Sequence, residues 1–198
     1  MNTQTMPARH PDHAVAPQFL NRWSPRAFSD QSVSEAEMNL LFEAARWAPS
    51  ASNNQPWRFA YGLRGDEGFA KIAAGLVPFN RGWAEKAAAL VVVASRSTVI
   101  RPEQGEVPNP FHSFDAGTAW GFLALQAHLS GLITHAMGGF DAKALAASLN
   151  LPEGYVIHAV VAVGHQGEIE DLPEALQARE SPSTRLPLSE TVGRGGFV

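Results

Sequence analysis

Residues 46–59 read Arg46-Trp47-Ala48-Pro49-Ser50-Ala51-Ser52-Asn53-Asn54-Gln55-Pro56-Trp57-Arg58-Phe59. The stretch leaves an amphipathic helix and enters a strand. Pro49 stops the helix, because it lacks an N–H and biases Ala48 away from helical angles. Pro56 sets up the extended residues that follow. Hydroxyls and amides held between two rigid elements can grip a polar ligand. The same composition also suits an ordinary polar helix-to-strand connection.

Working outward, Ser34 and Glu37 form a capping-box pattern that predicts a helix running to Ala48. Trp57 to Leu63 alternates as a strand. Asp66 to Gly75 reads as a short helix and Trp83 to Ala89 as another. Leu90 to Ala94 and Tyr155 to Gly164 are buried strands, apolar on both faces and rich in β-branched residues. Thr98 to Pro110, with three prolines and three charged residues, reads as a mobile surface loop.

Phe114 to Gly131 is the longest helical pattern. It is apolar nearly all round, which predicts a central or interface helix, and Gly117 and Gly121 permit close approach of another backbone. Leu132 to Met137 reads as a strand and Asp141 to Leu149 as a helix capped by Asp141. After Asp171 the chain turns polar and proline-rich yet keeps Leu186, Leu188, Val192, Phe197 and Val198. Such a tail packs on a partner or frays. Helices alternating with strands fit an α+β or α/β sandwich around a small mixed sheet.

Composition narrows the function. The 198 residues suit one domain, 18–198, preceded by a flexible arm at 1–17 without a signal-peptide pattern. A net charge of −4 without a basic block gives nucleic acid no electrostatic footprint. No apolar run suggests a membrane span. Cysteine is absent, which excludes thiolate catalysis and disulfides and is compatible with a cytoplasmic location. No phosphate-loop lysine, dinucleotide fingerprint, serine-hydrolase elbow or zinc spacing is present. His10 and His13 read as solvated, His158 and His165 as packed and hydrogen-bonded. His112 and Asp115 suggest a helix cap rather than a catalytic dyad. An enzyme so poor in catalytic motifs would rely on a cofactor.

Five motifs, in order, carry a resemblance. Ala48 to Trp57 resembles the signature loop of the FMN-dependent nitroreductase family. Arg22-Trp23-Ser24-Pro25-Arg26-Ala27-Phe28 is similar to its Arg-x-Ser-x-Arg/Lys-x-Phe segment, and Asn80-Arg81-Gly82-Trp83 to its Asn-x-x-Trp. Gly138-Gly139-Phe140-Asp141 resembles its Gly-Phe-Asp turn, and Arg185-Leu186-Pro187-Leu188 its C-terminal Arg-x-Pro-Leu. The resemblance covers the chain from about Phe19 onward.

It implies a three-layer sandwich forming an intertwined homodimer, with the arm from about 171 to 198 crossing to the partner. It implies FMN as cofactor and NAD(P)H as hydride donor, passing electrons through flavin N5 to nitroaromatics, quinones or similar small acceptors. No protein residue is then catalytic, and no metal is bound. Arg22, Ser24 and Arg185 would hold the phosphate, and Arg26 would face the ring near N1 and O2, where charge develops on reduction. Pro49, Ser50 and Asn53 would come from the other protomer, with Gln55 bracing their loop. Asn80 would meet the polar edge of the ring. Gly138 and Gly139 would offer N–H groups to N5 and O4. The neighbours Trp23, Ala51 and Met137 complete the implied set. Relatives often carry Glu where this chain has Gly138, and some carry a cation where it has Ser183. Alternatives are a relative reducing a conjugated or aldehyde-type metabolite, dehalogenating or fragmenting flavin, a flavin-binding protein without turnover, and a non-flavin interaction protein.

Overall fold

A computed structural model describes residues 9–198. Four strands form the central sheet: β1 (Trp57–Leu63), β2 (Ala89–Arg96), β5 (Ile133–Met137) and β6 (Tyr155–Gly164), in the order β1-β2-β6-β5. Every pairing is antiparallel, so the sheet is not the mixed one predicted. Helices between strands suggest parallel crossovers. Here the excursions between β1 and β2 and between β5 and β6 return to the sheet end they left. Leu63 therefore faces Ala89, and Met137 faces Val160.

The apolar strands are apolar because both faces are covered. On one face Leu90, Val92, Val160 and Ala162 pack with α3 (Glu67–Ala74), α4 (Pro78–Ala84) and α6 (Ala142–Ser148) through Ile72, Trp83 and Leu145. On the other, Val91, Val93, Val161 and Val163 pack with α2 (Glu35–Arg46) and α5 (His112–Leu129) through Met38, Leu41, Ala119 and Leu123. This is the predicted three-layer α+β sandwich.

The α2 capping box forms as expected, with the Glu37 N–H donating to Ser34 Oγ and the Ser34 N–H donating to Glu37 Oε2. Asp66 and Asp141 cap α3 and α6. Gly131 adopts φ 75° directly after α5, a conformation that favours glycine. Two expectations need correction. The predicted helix Trp83–Ala89 is α4 at Pro78–Ala84, because Pro78 begins it at a position where a missing N–H costs nothing. Residues 98–110 are not a loop throughout. β3 (Thr98–Arg101) and β4 (Gly105–Pro108) form an exposed hairpin, turned through Glu103 and Gly105 at positive φ.

Helix α5 buries Ala116, Ala119, Leu123 and Ala127 and leaves Phe114, Phe122 and Leu129 exposed on its outer side, beside the open Gly117 and Gly121. Short helices α1 (Pro17–Asn21) and α7 (Glu174–Gln177) lie near the chain ends. No helix among the described residues is long and apolar enough to cross a membrane.

Candidate functional site

The segment after α1 is pinned to the sheet. The Gly167 N–H donates to the Ala27 carbonyl and the Ser29 N–H to the His165 carbonyl, while Phe28 bridges Gln166 just beyond β6. Buried Ala27 and Phe28 anchor the segment's end in the core. Upstream of that anchor, Arg22, Trp23, Ser24 and Arg26 line one cavity of about 250 Å³. Arg185 from the tail lines it too. The structure adds Arg9, Arg179 and His135, none of which stands in a recognisable motif.

Five arginines therefore border one small cavity. Glu180 balances one of them. Its side chain is fully buried, Oε1 accepts from the N–H groups of Arg26 and Ala27, and Oε2 lies 3.7 Å from the Arg26 guanidinium. Among the described residues, no carboxylate pairs with Arg9, Arg22, Arg179 or Arg185. Burial, followed by the charge of Arg185, lowers the Arg22 pKa. Burial lowers that of Arg26 as well, with Glu180 opposing. Arg179 and Arg185 are exposed while Arg9 and Arg22 are partly buried, so an anion in the cavity would gain charge-assisted hydrogen bonds from guanidinium groups that no carboxylate occupies. The cavity suits a phosphate and lies below the usual span of about 300–1,000 Å³ for a whole organic ligand.

Arg26 also lies over Trp83, 5.9 Å from the ring centroid, and its buried Nε has no partner among the described residues. Trp83 stacks obliquely on His135 at 4.8 Å. His135 Nδ1 lies 3.1 Å from the Pro25 carbonyl, which can only accept. Burial, followed by the charge of Arg26, pushes its pKa down, so the ring is neutral and Nδ1 carries the proton. His135 thus supports the arginine segment from below without adding a sixth cation.

From His135, β5 runs to Met137 and the Gly138-Gly139 turn. Met137 is buried in the core beside Trp83, so its side chain is structural. The Asn80 side chain on α4 donates to the Gly139 carbonyl at 3.1 Å, and the Val77 N–H donates to the same oxygen. Neither Gly138 nor Gly139 uses a positive φ. Gly139 is required by close approach: an added Cβ would lie 2.6 Å from Asn80 Nδ2 and 2.9 Å from Val77 Cγ2. At Gly138 a Cβ would meet open space, so close approach does not demand glycine there.

The signature loop stands elsewhere. Residues Ala51–Asn53 form one 3-10 turn, with Ser52, Asn53 and Gln55 all at positive φ of 46–54°. Three such residues outside glycine amount to stored strain. Gln55 braces the loop as expected, its N–H donating to Ser50 Oγ and its Nε2 to Asn53 Oδ1. Buried Asp115 of α5 accepts from the Ala51 N–H, so it caps the loop's turn rather than its own helix, correcting the cap expected of His112 and Asp115.

His112 instead faces Ser95. Ser95 Oγ lies 2.7 Å from His112 Nδ1 and 2.6 Å from His158 Nε2. A bulge between Val93 and Ala94 makes His158 the extra residue of β6 and turns it toward Ser95. Burial, followed by the charge of His112, lowers the His158 pKa. His165, expected to be hydrogen-bonded, has a buried Nε2 with no partner among the described residues.

The loop feeds β1, one edge of the sheet, whereas Arg26 and His135 lie against β5, the other edge. Three strand spacings separate the edges by roughly 14 Å. Pro49, Ser50, Ala51 and Asn53 line none of the arginine cavity.

Residues 20–165 match the family model described as the Nitroreductase family. An NADH dehydrogenase of Thermus thermophilus is 31% identical over 201 residues, covering 87% of this chain and 92% of that protein. A crystal structure of an oxidoreductase containing FMN superposes with a TM-score of 0.93 at 41% identity, covering 96% of each chain. A nitroreductase family protein of Streptococcus pneumoniae shares the fold at a TM-score of 0.73 and 20% identity, covering 90% of this chain and 98% of its own.

Proposed function

The chain belongs to the nitroreductase family, and we propose that it is an FMN-dependent oxidoreductase. When bound, FMN supplies hydride chemistry at N5, accepting from NAD(P)H and passing electrons to a small electron-poor acceptor such as a nitroaromatic or a quinone. The observation that carries the reading is the arginine cavity. Arg22, Ser24 and Arg26 meet Arg185 there, with one carboxylate among five cations. A dianionic phosphate is the group that this donor set fits.

Each residue then has a role set by its position. Arg22, Ser24 and Arg185 hold the phosphate, and Trp23 walls the cavity. Arg26, fixed by Glu180 and Trp83, directs positive charge toward the pyrimidine end of the ring. Asn80 holds the Gly139 carbonyl, so the Gly138-Gly139 turn presents its backbone to the ring without side chains in the way. Met137 anchors that turn. Pro49, Ser50, Ala51 and Asn53 reach the cofactor from a second copy of the chain. The sheet width separating their loop from the cavity supports this, as does the exposed apolar face of α5 with its two open glycines. Obligate interfaces resemble a domain core cut in half, and Phe114, Phe122 and Leu129 form such a half.

The test is direct. Purified protein should be yellow, or become so with FMN, and should oxidise NAD(P)H in the presence of menadione or a nitroaromatic. Colourless protein that FMN cannot reconstitute would sink the cofactor reading. FMN binding without turnover on any acceptor would leave a flavin-binding protein. Sedimentation should report a dimer.

A further inference from the structure

Arg9 lies upstream of the residues that match the family, and no motif includes it. Its guanidinium is nonetheless among the most tightly held in the molecule. Nη1 donates to the Leu20 carbonyl at 2.7 Å and to the Arg22 carbonyl at 2.8 Å, and Nε donates to the Ser183 carbonyl at 3.0 Å. These acceptors belong to α1, to the segment bearing Arg22, and to the tail bearing Arg185. All three are neutral carbonyls, so none balances the charge. Nη2 makes no hydrogen bond among the described residues, and the side chain borders the cavity. Burial and then the nearby charges of Arg185 and Arg22 lower the Arg9 pKa.

The strap uses only part of the fork: the three carbonyls take the Nε proton and both Nη1 protons, which leaves the two Nη2 protons without an acceptor among the described residues. Placing a third cation beside Arg22 and Arg185 costs free energy unless an anion sits between them. The carbonyl clamp fixes the planar fork, so little further entropy is lost when the remaining N–H groups find an acceptor.

We infer that Arg9 is a further phosphate-binding residue, joining Arg22 and Arg185 on the cofactor and linking its capture to the docking of the chain's two ends. This rests on the FMN reading above. The result is a polydentate anion site built from three separate stretches of chain, which no single motif describes.

The test compares FMN with riboflavin, which lacks the phosphate, by fluorescence titration of the stripped full-length protein. Wild type should prefer FMN. Arg9→Gln should raise the FMN dissociation constant by roughly 10-fold or more while leaving that of riboflavin within about twofold. Arg9→Lys, which keeps the charge but loses the fork, should fall between them with its circular dichroism unchanged. Equal weakening of both ligands would overturn the inference and make Arg9 a scaffold strap. So would an unchanged FMN constant in Arg9→Gln when Arg22→Ala weakens FMN. If wild type shows no preference for FMN and Arg22→Ala has no effect, the cofactor reading fails and this inference falls with it.

Discussion

The arginine cavity and the 49–56 loop are both polar, and both lie at an edge of the same sheet, yet they are built on opposite terms. The cavity gathers charge that it does not balance. Among the described residues, four of its five arginines lack a carboxylate and the buried Arg26 Nε has no partner. The loop carries no charge and satisfies itself: Ser50 serves Gln55, Gln55 serves Asn53, and Asp115 serves Ala51. Its cost is paid in backbone angles instead. The loop is braced by its own side chains and by Asp115, and it lines none of the arginine cavity.

The largest effect should come from the one charge that balances the cavity. Glu180→Ala leaves two buried N–H groups and Arg26 without their acceptor, and should cost about 3–5 kcal/mol in urea unfolding. Glu180→Gln should cost less, since its amide oxygen can still accept. A Glu180→Ala protein as stable as wild type would mean that the cavity tolerates five unbalanced cations.

Arg22→Ala should raise the FMN dissociation constant by roughly 10- to 150-fold, with no effect on riboflavin. Arg26→Gln should behave differently. If Arg26 faces the ring, the reduced cofactor loses more than the oxidised one, and potentiometry should show a lower midpoint potential. Equal potentials in the two variants would remove Arg26 from the ring.

The two glycines of the turn should separate cleanly. Gly139→Val forces a branched side chain against Asn80 and Val77, and overpacking of this kind typically costs about 1–3 kcal/mol. Gly138→Ala, facing open space, should leave stability and FMN occupancy unchanged. A stable, fully occupied Gly139→Val protein would show that the turn has room the structure does not give it.

On the loop side, Ser50→Ala removes the acceptor for the Gln55 N–H and should cost about 1 kcal/mol. In a dimer the same change should weaken FMN binding by a small factor, through looser contact from the neighbouring copy. Loss of the cofactor as complete as in Arg22→Ala would mean that the loop binds rather than shapes.

The smallest expected effect is on pH dependence. His135 and His158 both have lowered pKa values in the folded chain. The unfolded chain therefore takes up more protons, and stability is fully present above the ordinary histidine pKa near 6.5 and declines as pH falls below it. His135→Phe should flatten part of that decline in thermal melts. An unchanged profile would show that His135 titrates normally in the folded protein.

Most of the architecture was legible because it rests on local rules. The Ser34–Glu37 box, the proline stops and the two-faced apolar strands each state their structure within a few residues. Two misreadings share a cause. Pro78, not Trp83, starts α4, and a proline-containing stretch at 98–110 still forms a hairpin because its turn uses Glu103 at positive φ. The Arg22–Phe28 motif was readable as a resemblance, and Arg22, Trp23, Ser24 and Arg26 line one cavity. Arg9, Arg179, Glu180 and His135 were not readable, because each acts across more than 100 residues or through a carbonyl, and neither leaves a spacing in the chain. The antiparallel sheet was likewise invisible, since the direction of return after a helix depends on packing rather than pattern.

The Ser95 contact carries a consequence for where hydrogen atoms reside. The hydroxyl has one proton to give, and it sits between two imidazole nitrogens. One ring must present a bare nitrogen and the other an N–H, so the three groups form a wire with a direction. When the hydroxyl points at His158 Nε2, that nitrogen must be bare. That fixes His158 as the tautomer protonated at Nδ1, consistent with burial holding it neutral. The start of α5 and the bulge of β6 are thereby joined by a bond that has a sense as well as a length, and nitrogen-15 shifts of the two rings would read which way it runs.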